Sequence, residues 1–229
     1  MLDLSAAFDT VDHNLLLEIL KHEIGLEGRV LAWFKSFLIG RSQRIRIGGT
    51  TSEEIIIMFG VPQGSVLGPV LFNIYIRSIY LCVQRLGFKI HGYADDHQIL
   101  KSFRYSSQSI VLTYDLQRCF ATIKSWMAQY FLQLNDPKTQ ICIFGSRRIL
   151  NKIKIRGVNF PSGTTIRFIP NVKSLGVYMD SLQNLRNQVL ELKKKAFCII
   201  RKINKVRFFL SDEQRKVIVN SFVISCLDY

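Results

Sequence analysis

The sequence predicts an α+β chain: a mixed body of short strands and helices over residues 1–180, then a basic helical segment over residues 181–229. Short apolar or alternating pieces punctuated by Gly and Pro run through the first part, as strands and turns do. From Leu182 the apolar residues fall at intervals of three and four (Leu182, Leu185, Val189, Leu192, Ala196), the period of a long amphipathic helix. Charge divides at the same place. Residues 1–140 hold 14 basic and 12 acidic residues, 141–179 hold 7 basic and no acidic, and 181–229 hold 10 basic and 4 acidic.

Residues 1–9 begin with a strand-like alternation. Asp12 stands as N-cap before Asn14-Leu-Leu-Leu-Glu-Ile-Leu, which predicts a helix. A second helix is expected from about Gly28 to Phe37, stopped by Gly40. Arg44-Ile-Arg-Ile, then Gly48-Gly49, then Glu54-Ile-Ile-Ile-Met read as a β-hairpin. The apolar run from Ser65 to Val83 is long enough to span a membrane. Asn73 and Arg77 within it are costly in lipid, so a buried helix of a globular domain is the expectation. Gly87 to Leu100 predicts two strands around an acidic turn, and a helix follows from about Ser109 to Tyr130. Strand-like pieces come next at Gln140–Phe144, Lys152–Ile155, Thr165–Phe168 and Val172–Val177. Ser211-Asp-Glu-Gln opens a last helix as a capping box.

Composition narrows the function classes. With 48% hydrophobic and 21% charged residues, the chain can bury a core without disulfides. Its five widely spaced cysteines form no C-x-x-C pair, which argues against a disulfide scaffold and a cysteine zinc site. Asp3 stands where a secretion signal would carry basic residues. The net charge of +14 points to a polyanionic partner, nucleic acid first. The four histidines are not spaced as a metal set, and no Walker loop or dinucleotide glycine pattern is present.

Asp95-Asp96 is the strongest chemical feature. Two adjacent carboxylates repel by roughly 4 kcal/mol at 4 Å and a surface-like dielectric, and a divalent cation with oxygen ligands is the usual remedy. A solvated turn is the plainer reading of that pair alone. Its context favours the metal. Asp3-Leu-Ser-Ala-Ala-Phe-Asp9, Val61-Pro-Gln-Gly-Ser-Val-Leu-Gly-Pro69, Tyr93-Ala-Asp-Asp96, Leu134-Asn-x-x-Lys-Thr139 and Ser174-Leu-Gly-Val177 occur in that order. Over nearly its whole length the chain resembles the reverse transcriptases of non-LTR, LINE-like retrotransposons.

That resemblance implies a polymerase palm, an antiparallel sheet with helices on one face, followed by a helical thumb. It implies an RNA template, a DNA primer, dNTPs, no membrane, and action in cytoplasm and nucleus. Asp3, Asp95 and Asp96, with the Leu4 carbonyl, match the ligands of two Mg²⁺ ions, for which Mn²⁺ can substitute. Lys138 matches a lysine assigned to protonating pyrophosphate. Phe8 matches the aromatic gate against a ribose 2′-hydroxyl, and Gln63 and Gly64 match a nucleotide and template contact. Leu175 and Gly176 match the primer-grip hairpin near residues 172–180. Lys193, Lys194, Arg201, Lys202 and Lys205 match thumb contacts to nucleic-acid phosphates.

Four positions depart from the family pattern: His97, Tyr130, the order Asp136-Pro137, and Gln188. Only Met1 and Leu2 precede the first aspartate, so the expectation is a domain without fingers or the other retrotransposon modules, weak or inactive alone. The alternative is a non-enzymatic nucleic-acid-binding relic of such an element.

Overall fold

The computed structural model describes all residues except 63, 95, 105–108, 161, 162, 164 and 229. Backbone contacts divide the chain into two compact units. One holds Met1–Ile141 and Lys154–Phe168, and the other holds Cys142–Ile153 and Ile169–Tyr229. The chain is α+β throughout, with short antiparallel ladders among helices.

In the first unit, strand β1 (Leu4–Ser5) leads through a turn into helix α1 (His13–His22). The Asp12 side chain accepts from the Leu15 N–H at 2.8 Å, the N-cap the sequence predicts. Leu16, Ile19 and Leu20 make the buried stripe of α1. Helix α2 (Gly28–Leu38) ends two residues before Gly40, whose φ is +78°. The predicted hairpin then forms as two nested ladders. Strands β2 (Ser42–Gln43) and β5 (Ile55–Ile56) pair outside β3 (Arg46–Ile47) and β4 (Thr50–Thr51). Gly48 and Gly49 both take positive φ at the two-residue turn, which glycine allows at no steric cost.

The apolar run does not form one helix. It folds as α3 (Gly68–Tyr75) and α4 (Arg77–Arg85), broken at Ile76, where ψ rises to about 2°. Leu71, Phe72, Tyr75, Ile76, Ile79 and Val83 face the core, while Asn73 and Arg77 are exposed. No helix among the described residues is long and apolar enough to cross a membrane.

Strands β6 (Lys89–Tyr93) and β7 (Asp96–Leu100) make the predicted acidic hairpin. Helix α5 (Ser109–Gln129) contributes Cys119, Phe120, Ile123, Trp126 and Met127 to the core. Strand β8 (Gln133–Leu134) returns to pair with β1. Of the strand expected at Gln140–Phe144, a single bridge from Ile141 to Phe168 forms. No strand forms over Lys152–Ile155. There the short helix α6 (Arg147–Leu150) and the turns after it take the Lys152 and Ile153 N–H groups. Strand β9 (Gly157–Asn159) lies outside every sequence-based expectation. It pairs with β10 (Thr165–Arg167).

A polar knot ties the buried helices together. The Tyr75 hydroxyl accepts from the Asp12 N–H at 3.3 Å and donates to the Tyr130 carbonyl at 2.7 Å. Ser78 donates to the Tyr130 hydroxyl and accepts from the Trp126 indole, both at 2.9 Å. Trp126 stacks on Tyr130 with centroids 4.1 Å apart.

In the second unit, strands β11 (Asn171–Ser174) and β12 (Val177–Asp180) form a hairpin. Helix α7 (Arg186–Val206) starts four residues later than its apolar period. The Asp180 carboxylate accepts from the Leu182 and Asn184 N–H groups, and Gln183 and Leu185 are left-handed. Those residues are therefore committed to a turn. A 3₁₀ turn (Arg207–Phe209) leads to α8 (Asp212–Val219), which carries the predicted capping box of Ser211 and Gln214. A π-helical turn (Asn220–Ile224) and α9 (Ser225–Asp228) complete the unit.

Tyr75→Phe leaves the Tyr130 carbonyl and the Asp12 N–H without that partner, and is expected to cost about 1–3 kcal/mol in urea unfolding. Burial raises the Tyr75 hydroxyl from 10.0 to about 12. The fold therefore holds the neutral form. Its contribution is complete below the unfolded value near 10 and is lost as pH rises through about 12. The deficit of Tyr75→Phe should shrink over that range. A deficit independent of pH would contradict this role.

Candidate active site

The site rests on one strand register. Leu2 and His97 exchange both backbone hydrogen bonds, Leu2 N–H to His97 at 2.8 Å and His97 N–H to Leu2 at 3.3 Å. On its other edge the same segment pairs with β8, Leu4 opposite Leu134, and the Asp3 carbonyl accepts from the Asn135 N–H at 2.9 Å. The ladders β6-β7 and β1-β8 are thus separate two-stranded sheets, joined by the single bridge from Leu2 to β7.

Alternation then assigns the faces. Leu2, Leu4 and His97 are buried on the core side. Asp3 and Asp96 are the residues next to that single bridge in their two segments, and both are half-buried. Tyr93, paired with Asp96, is exposed. The Leu4 backbone groups alternate with those of Asp3, so its carbonyl turns to the hairpin side.

The hairpin tip is built for a tight turn. Two residues join Tyr93 to Asp96, and Ala94 has φ +54°, the left-handed region. A Cβ on Gly92 would run into the Tyr80 hydroxyl and the His97 ring, so only glycine fits there. His97 fills the core side of the hairpin, edge-on to Tyr80 with ring centroids 6.1 Å apart. Asp95 lies outside the described residues. Among the described residues no group of three or more His, Cys, Asp or Glu side chains is placed to hold a metal.

Lys138 completes the face. Its ammonium is 3.6 Å from Asp3 Oδ2. It sits on a 3₁₀ turn (Asp136–Lys138) capped by Asn135, which takes the Lys138 N–H, and is anchored to α5 by the Lys124–Asp136 ion pair at 2.6 Å. Asn135 belongs to the Leu134-Asn-x-x-Lys-Thr139 motif, which by itself gives it no role. Its signal was its place just before an Asp-Pro turn start.

Phe8 is half-buried, its ring 4.7 Å from that of Phe72. Its carbonyl accepts from the Val61 N–H at 2.8 Å, which brings the 61–69 segment to the turn after β1. Gly60 makes that approach: φ is +89°, and a Cβ would lie 3.0 Å from the Asp9 backbone. Ser65 ties the loop, donating to the Pro62 carbonyl at 2.8 Å and accepting from the Gly68 N–H at 2.9 Å. Gly64 has φ +80° and open space where a Cβ would be. Gln63 lies outside the described residues.

The remaining expected residues belong to the second unit. Leu175 and Gly176 form the two-residue turn between β11 and β12, with φ of +47° and +87°. Leucine in the left-handed region is strained, a feature that marks functional turns. Lys193, Lys194, Arg201, Lys202 and Lys205 are all exposed on α7, and Lys194 pairs with Glu191 at 2.6 Å.

Asp3 and Asp96, with the Leu4 carbonyl, are hard oxygen donors of the kind that suit Mg²⁺ or Mn²⁺. Two carboxylates brought together without a cation repel, by about 0.2–1 kcal/mol for like charges across a ladder. If Asp3 and Asp96 share a cation, Asp96→Asn is expected to raise the melting temperature in EDTA by a few degrees, and Mg²⁺ should narrow the gap. A lower melting temperature in EDTA would exclude a shared site.

Residues 1–213 match the family described as Reverse transcriptase (RNA-dependent DNA polymerase). The chain is 29% identical over 209 residues to the RNA-directed DNA polymerase from mobile element jockey of Drosophila funebris, which covers 89% of this chain and 22% of that protein. It is 22% identical over 235 residues to the Pol polyprotein from type-1 retrotransposable element R1 of Bradysia coprophila, covering 100% of this chain and 22% of that protein. It is 28% identical over 143 residues to a probable RNA-directed DNA polymerase from transposon BS of Drosophila melanogaster, covering 60% and 15%. The chain thus spans about a fifth or less of the length of these relatives. With the family match running almost from end to end and relatives drawn from jockey, R1 and R2 elements, the chain belongs to the reverse transcriptase (RNA-dependent DNA polymerase) family, as a domain of the non-LTR retrotransposon kind.

Proposed function

We propose that the chain is the palm and thumb part of an RNA-directed DNA polymerase from a LINE-like element, extending a DNA primer on an RNA template. The observation that supports this reading is the Leu2–His97 bridge between the two motif segments, with Lys138 3.6 Å from Asp3. Strands β6, β7, β1 and β8 are read as the palm, and α7 to α9 as the thumb. Asp3, Asp95, Asp96 and the Leu4 carbonyl would hold two Mg²⁺ ions. Such ions, when bound, lower the pKa of a primer 3′-hydroxyl and offset charge on the leaving pyrophosphate.

The chain's own residues do the rest. The turn after β1 presents Phe8 beside the 61–69 segment, where a bulky ring crowds a ribose 2′-hydroxyl. Gln63 and Gly64 contact the incoming nucleotide and the template, Gly64 because it adds no side chain to the surface. Lys138 stands with its Nζ 3.6 Å from Asp3, placed to reach departing pyrophosphate. Leu175 and Gly176 press on the primer end, and the exposed cations of α7 track phosphates. The substrates are dNTPs, and the compartments are the cytoplasm and nucleus in which such elements act.

The test is primer extension on a primed RNA with Mg²⁺, comparing the 229-residue chain with its Asp95→Asn/Asp96→Asn variant, beside an RNA gel shift on both. Extension should fall by at least about a hundredfold in the variant, the scale of several kcal/mol of lost metal assistance, while RNA binding persists. Equal extension by both proteins would overturn the assignment of the carboxylates. Equal RNA binding with no extension by either would leave nucleic-acid binding as the function.

A further inference from the structure

We infer that the corner between α7 and α8 is a stacking platform for an unpaired nucleic-acid strand. Phe208 and Phe209 are 81% and 88% exposed, a rare position for phenylalanine, which belongs among the core residues. The rings are not on a loose loop. The 3₁₀ turn Arg207–Phe209 closes with the Leu210 N–H on the Arg207 carbonyl at 3.3 Å. The Arg215 guanidinium donates to the Leu210 carbonyl at 3.1 Å, and the Ser211–Gln214 capping box fixes the start of α8. Two phenyl rings are therefore presented to solvent by a braced corner.

The surroundings choose the occupant. Residues 201–209 carry Arg201, Lys202, Lys205 and Arg207 and no acid. All four are exposed, and none makes an ion pair among the described residues. The Arg207 guanidinium lies 4.6 Å from the Phe208 ring centroid, already in a cation–π stack. Asp212 and Glu213 open α8 just beyond, Asp212 paired with Arg215, so four cations face two acids at this corner, and rings beside a net positive charge fit a polyanion whose units carry flat π faces. A duplex has its base faces already stacked, except at its ends. A single strand offers them to the platform, and its phosphates meet the cations. This inference rests on the polymerase reading and extends it. The α7 cations neutralise any strand, whereas the two rings distinguish unpaired from paired.

The test uses the whole 229-residue chain and fluorescence anisotropy with two labelled probes, a mixed-sequence single-stranded RNA of about 15 nucleotides, near the usual single-strand site size, and a blunt RNA–DNA duplex of the same length. Phe208→Ala/Phe209→Ala should weaken single-strand binding about tenfold or more and leave duplex binding nearly unchanged. The salt slope should stay the same, because it counts phosphate contacts. Phe208→Trp/Phe209→Trp should retain single-strand affinity. Phe208→Leu/Phe209→Leu, apolar but without a π face, should lose it. Retention in the leucine variant would overturn stacking. Wild-type duplex binding with single-strand binding unchanged in the alanine variant would overturn this inference and leave the polymerase reading intact. Wild type binding neither probe would sink both. Pelleting with anionic vesicles that is lost in the alanine variant, with RNA binding unchanged, would reassign the corner to membrane.

Discussion

Two backbone hydrogen bonds between Leu2 and His97 settle the faces of the sheet. Once those residues are opposed, the period of two leaves no freedom to their neighbours. Leu2, Leu4 and His97 must enter the core together, and they are all buried. Asp3, the next residue, is half-buried with Lys138 3.6 Å from its carboxylate. A slip of one residue would expose three core side chains, a costly change. The hydrophobic core therefore enforces the register, and the register fixes where Asp3 sits.

The wider fold keeps that register fixed. Tyr75 lies at the centre of the first unit with no exposed surface, and its hydroxyl joins the cap of α1 to the end of α5. The chain leaving α5 becomes β8, which holds the Asp3 carbonyl through Asn135. The chain entering α1 comes from β1. One buried hydroxyl thus links the two segments that flank Asp3 in sequence and in space. A buried hydroxyl suits that task because an unmade bond there costs more than a made bond contributes. The knot has one satisfied arrangement, and rearranged packings leave orphans.

Local chemistry was what the sequence made legible. Asp12, Gly48-Gly49 and Ser211 each announce a cap or turn through side-chain or backbone preferences that act within four residues, and all three appear as read. Long-range competition was less visible. The run from Ser65 to Val83 is apolar enough for one helix, yet it breaks at Ile76, a residue with no propensity to break. Asp180 delays α7 because its carboxylate captures two N–H groups beyond it, while the apolar period continues undisturbed through Leu182 and Leu185. Gly157–Asn159 pairs with Thr165–Arg167 without a clear alternation of its own. For the site, the aspartates and Lys138 were legible as motif residues. Gly92 stands in no motif, and Asn135 and Ser65 stand in motifs without a visible role, because each acts on a neighbour's backbone or clearance rather than through its own chemistry.

Half-buried carboxylates at Asp3 and Asp96 do little for folding, since Lys138, 71% exposed, compensates Asp3 only through a screened contact at 3.6 Å. Keeping them makes sense where a cation is part of the working state. The second unit shows the same tension with the opposite sign. The last turns of α7 hold Arg201, Lys202 and Lys205 without an acid among residues 201–209, so the cations repel one another until an anion arrives. Each unit is thus under local electrostatic stress in the free chain. On the proposed function, divalent cations would relieve the first stress and nucleic-acid phosphate the second.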